Sequence, residues 1–152
     1  MNAHDEFQTS DLLPLSDAQR SALEVRWYDG KMLRYVDLLT SFAARHRAEI
    51  LRESGDARDS AALCEATQRY ILHVGSVHMP SELTDQKIEM ENECWYRGQE
   101  GRHDRADIMI TWAHCHGRPW REWRLREYLF VVDRCAEKIV AELLPPAASA
   151  EG

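Results

Sequence analysis

The sequence predicts an all-α fold: a single-domain helical bundle of five or six helices, ending in a long C-terminal helix. Three observations predict it. Apolar residues recur at spacings of three and four along most of the chain, the period of an amphipathic helix. No segment sustains the period-two alternation of a strand, and no Asn-Gly hairpin signal occurs. Residues that cap or stop helices, among them Ser16, Gly30, Gly55, Pro80, Gly101 and Gly117, fall between the periodic segments. At 152 residues, 44% hydrophobic and 30% charged, the chain is long enough for one domain with a buried core.

Residues 1–15 are polar, end in "LLPL" and read as a flexible arm before a helical domain over 16–144. Ser16 and Gln19 make a capping-box pattern for the first helix, which carries Leu23 and Trp27 and meets a break at Asp29-Gly30. Met32, Tyr35, Val36, Leu39, Phe42, Ala43, His46 and Ile50 then form a helical stripe, with Gly55 as its C-terminal cap. The third helix starts near Asp59 or Ser60 and shows Leu63, Thr67, Tyr70, Ile71, Val74 and Val77 on one face. Pro80 disfavours helix at Met79, so the next helix is expected to be capped by Ser81 or Thr84. Its apolar residues are Leu83, Ile88, Met90, Cys94 and Trp95, while Glu82, Gln86, Glu89 and Glu93 read as its solvated side.

Asp104 caps a short helix with Ile108, Trp112 and Cys115. Gly117-Arg118-Pro119 reads as a second break, because a proline ring in a helix clashes with the carbonyl four residues earlier. The last helix carries two adjacent stripes. One is Trp120, Trp123, Tyr128, Val131, Cys135, Ile139 and Leu143; the other is Leu125, Leu129, Val132, Ala136, Val140 and Leu144. Two stripes make a wide buried face, so this helix is expected to be central. Residues 145–152 read as a disordered tail.

Composition narrows the function classes. No apolar run approaches the roughly 20 residues of a membrane span, and "MNAHDEFQTSDLL" lacks the basic and apolar regions of a secretory signal. The expected location is the cytoplasm, with no membrane partner. Cys64, Cys94, Cys115 and Cys135 lie 30, 21 and 20 residues apart with no CxxC pair, so they are expected reduced and separate. Arginine outnumbers lysine 16 to 3, which with the alanine content is compatible with a GC-rich bacterial genome. The net charge of −7 is unevenly spread: residues 97–126 carry seven arginines against four carboxylates, a local +3 that leaves −10 elsewhere.

The densest stretch is "TWAHCHGRPWREWRLREYLF", residues 111–130. Its tryptophans and arginines, with Trp112 and Trp120 folding together across the Gly117–Pro119 break, suggest a packed corner whose rim contacts a partner. Trp123, Arg121, Arg124 and Arg118 are the candidate contact residues, since Trp and Arg dominate protein–protein hot spots. The expected activity is binding of another protein, or self-association as a homo-oligomer, with no cofactor. One alternative is a helical metal-binding enzyme using His114, Cys115 and His116, with His103 or Cys94. Residues two apart on a helix point about 200° apart, so His114 and His116 can share an ion only if the helix ends there. The other alternative is nucleic-acid binding through the basic 97–126 segment, with bases stacking on the tryptophans. No di-iron ExxH pair, GxSxG elbow or phosphate loop is present.

Overall fold

The computed structural model describes residues 12–146, and its contacts concentrate in two compact units. Among the described residues there are seven α-helices and no strand. The first unit holds α1 (Asp17–Tyr28), α2 (Leu33–Arg45), α3 (Arg47–Ser54), α4 (Ser60–Val74), the end of α6 (Arg105–Arg134) from Leu125 on, and α7 (Ala136–Leu143). The second, His78–Arg124, holds α5 (Met79–Gln99) and the earlier part of α6. No helix among the described residues is long and apolar enough to cross a membrane.

The helix count exceeds the expected five or six for local reasons. The stripe from Met32 to Ile50 is two helices that meet at His46, and the C-terminal helix is interrupted at Cys135. Neither junction has a proline, a glycine or a side-chain cap. At His46 the ring packs on Phe42 at 4.6 Å and Tyr70 at 5.2 Å, which ties that turn to the core.

The expected break at Gly117–Pro119 is absent: α6 runs unbroken through Pro119. Pro119 deletes one helical hydrogen bond and crowds the Cys115 carbonyl, at about 3 kcal/mol. The lost bond falls on an exposed turn, where solvent can take the carbonyl, and packing of the flanking turns overrides local propensity. Pro119→Ala should therefore stabilise the protein by about 1–3 kcal/mol in urea denaturation. Were Pro119 the first residue of a new helix, alanine there would bring no gain.

The first unit holds most of the buried core. Leu23, Tyr35, Leu39, Phe42, Ile50, Leu63 and Ile71 meet Leu125, Tyr128, Val131, Val132 and Ile139 in its core, and α7 packs on α2, α3 and α4. Glu127 is buried there, accepting from Arg26 Nε at 2.6 Å and from the Tyr35 hydroxyl at 3.1 Å. The predicted arm is anchored at its end: Leu12 is buried and its carbonyl accepts from Arg126 at 3.3 Å. Residues 1–11 of that arm, and 147–152 of the predicted tail, lie outside the described residues.

All four cysteines are free thiols, and only Cys115 is exposed. Burial, followed by the nearby Cys64 thiol, pushes Cys135 from 9.0 up to about 11; burial raises Cys64 as well. The unfolded thiol ionises at lower pH than the folded one. Stability is therefore intact below pH 9 and falls as the pH rises through about 11, by roughly 2–3 kcal/mol for Cys135. Urea denaturation across that window should show a shallower fall in Cys135→Ala than in the natural chain.

Candidate functional site

The second unit is a pair of helices joined by a short turn. His78 opens α5: its Nδ1 accepts from the Ser81 N–H, while its own N–H donates to Glu82. This reciprocal cap replaces the expected Ser81 or Thr84, and Pro80 sits in the first turn, where its missing N–H costs nothing. Gly101, at φ +89°, reverses the chain after α5. Asp104 then caps α6 as expected, accepting from the Asp107 N–H at 3.2 Å.

The face of α5 differs from expectation. Glu82 is buried by its capping role and Cys94 is buried beside the Arg105 carbonyl, whereas Leu83, Ile88 and Trp95 are exposed. Neighbours on a helix point about 100° apart, and on the narrow buried face of α5 Cys94 turns inward while Trp95 does not. Trp95 is 61% exposed and Tyr96 62%, their rings edge-on at 5.1 Å. Ile88 lies seven residues before Trp95 and shares its face. Ile110 of α6 is exposed as well.

The Trp/Arg cluster on α6 serves packing more than expected. Arg124 is 6% exposed, donates to Asp85 at 2.6 Å and lies over the Trp120 ring at 4.6 Å. Arg118 pairs with Glu122 at 3.2 Å; Arg121 and Trp123 are half-buried. Trp112 and Trp120 do not fold together. On an unbroken helix they stand eight residues, about 12 Å, apart. Trp112 is buried near His116, with ring centroids 6.1 Å apart.

A hollow of about 180 Å³ lies between the two helices of this unit, lined by Glu93, Arg97, Arg102, Ile108, Thr111, Trp112, Cys115 and His116. The helix thus separates the His-Cys-His triplet: Cys115 and His116 line the hollow and His114 does not. His103 lies in a neighbouring open hollow with Trp95, Cys94, Arg102 and Arg105. Among the described residues, no three His, Cys, Asp or Glu side chains come together as a metal-binding group.

The arginines of the 97–126 segment are largely matched by acids. Arg97 Nε donates to Glu93 at 2.8 Å and its Nη1 to Glu100 at 3.1 Å, and both carboxylates push its pKa further up. Arg102 pairs with Asp107 at 2.9 Å. Together with the pairs of Arg118 and Arg124, this interleaves the positive charge with negative charge. Comparison of the chain with known protein families, with curated proteins and with solved structures finds no match.

Proposed function

We propose that this protein acts by binding another protein, and that the contact centres on Trp95 and Tyr96 of α5, flanked by Ile88. The observation that carries the proposal is the exposure of two adjacent large aromatic rings on a regular helix, where they contribute little to any core. Aromatic residues of this kind supply contact area at low entropic cost and dominate interface energetics. Trp123 and Arg121, half-exposed on α6, remain candidate rim contacts, and Arg118 can exchange its pair with Glu122 for a partner's carboxylate. Arg124 positions Trp120 and is assigned no contact.

Acids interleaved with the arginines along this segment favour a protein partner over a nucleic-acid backbone, whose row of phosphates would meet carboxylates as often as guanidiniums. The test is affinity capture from cell extract with the natural chain and with Trp95→Ala/Tyr96→Ala side by side. A partner retained by the first should be lost by the second, since truncating a hot-spot aromatic costs about 2 kcal/mol or more of binding, roughly thirtyfold in Kd. Identical retention by both proteins would place the contact elsewhere.

A further inference from the structure

The hollow between α5 and α6 is separate from the exposed Trp95–Tyr96 ring pair. We propose that it binds a small monocarboxylate with an apolar or aromatic body. Ile108 and Trp112 give it an apolar wall, and Thr111, Cys115, His116 and two guanidinium groups give it polar ones. A mostly apolar hollow with a few convergent polar groups is the ordinary form of a small-molecule site.

The guanidinium groups set the ligand's charge. Arg97 uses Nε and Nη1 on Glu93 and Glu100, and Arg102 uses Nη2 on Asp107. Arg97 Nη2 and Arg102 Nε and Nη1 keep their donor capacity. The Arg102 N–H also donates to the Arg97 carbonyl at 2.9 Å, so the turn holds the two residues side by side. Their acidic partners fix both side chains in advance, which lowers the entropy lost when a ligand arrives. Glu93, Glu100 and Asp107 balance the charge of the two arginines, so the carboxylate is held by their remaining N–H donors and not by net positive charge. A planar carboxylate matches the remaining N–H donors, and arginine suits that geometry better than lysine.

Size sets the body. At about 180 Å³ the hollow is smaller than sites for drug-sized ligands. A single ring or short aliphatic chain against Trp112 and Ile108 fills it.

Cys115 provides the readout, because it lines the hollow and is exposed while the other three thiols are buried. The rate at which iodoacetamide alkylates Cys115 is measured with phenylacetate, with its neutral analogue 2-phenylethanol, and with acetate, at equal millimolar concentrations. Phenylacetate at ten times its Kd should slow alkylation about tenfold by occupancy alone. Acetate lacks the body and 2-phenylethanol lacks the charge, so neither should slow it appreciably. Arg102→Gln should abolish the protection, read as the ratio of liganded to unliganded rates within the variant itself. The proposal is overturned if phenylacetate gives no protection, if 2-phenylethanol protects equally, or if protection survives Arg102→Gln.

Discussion

Arg124→Ala should destabilise the protein by about 3–5 kcal/mol, although the sequence groups Arg124 with residues of a contact surface. Its guanidinium is nearly out of water, bonded to Asp85 at 2.6 Å and stacked over Trp120. Removing it takes a close cationic partner from the largely buried Asp85 carboxylate and uncovers the ring. The cost comes chiefly from the charge left behind, so the double variant Arg124→Leu/Asp85→Leu should recover most of it. Urea denaturation of Arg124→Leu, Asp85→Leu and the double variant makes the cycle. A loss below about 1 kcal/mol for Arg124→Ala would mark an exposed, screened pair and return Arg124 to the contact surface.

Ile139→Ala should cost about 2–5 kcal/mol through lost transfer energy and the cavity left behind. Ile139 is fully buried on α7, the helix that packs on α2, α3 and α4. Three neighbouring helices leave little room for the site to collapse, which favours the upper half of the range. Val140, one residue on and half-exposed, should tolerate alanine with a far smaller loss. Equal losses at the two positions would show that the stripe is not the spine of the unit.

The parts of the fold that rest on side-chain patterning were legible. Ser16 and Gln19 form the capping box that their spacing predicts, and Asp59 and Asp104 cap their helices. The stripe of Tyr35, Leu39, Phe42 and Ile50 faces the core, as do Tyr128, Val131, Cys135 and Ile139. The parts set by tertiary packing were not. His46 and Cys135 end helices without glycine, proline or a side-chain cap, so nothing local marks them. Pro119 marks a break that packing overrides. The capping glutamate of α5 is buried, which rotates that helix relative to a count of its apolar residues.

The candidate site was less legible for the same reason. Attention falls on the tryptophan-rich run from 111 to 130, yet one continuous helix buries Trp112 and covers Trp120 with Arg124. Two exposed aromatics lie in "ENECWYRGQE", where the rings are adjacent and flanked by charge; Tyr28, more exposed still, stands alone. Adjacency was the available signal: two neighbours on a helix that packs on one side leave at least one ring outside the buried stripe.

The central claim is that Trp95 and Tyr96 serve contact rather than packing. Urea denaturation of Trp95→Ala/Tyr96→Ala, done without any partner, tests it most directly. The account predicts a free energy of unfolding within about 0.5 kcal/mol per site of the natural chain, with an unchanged m-value. A loss of about 3 kcal/mol or more, the cost of emptying a buried aromatic site, would show that the rings hold the fold together and would contradict it.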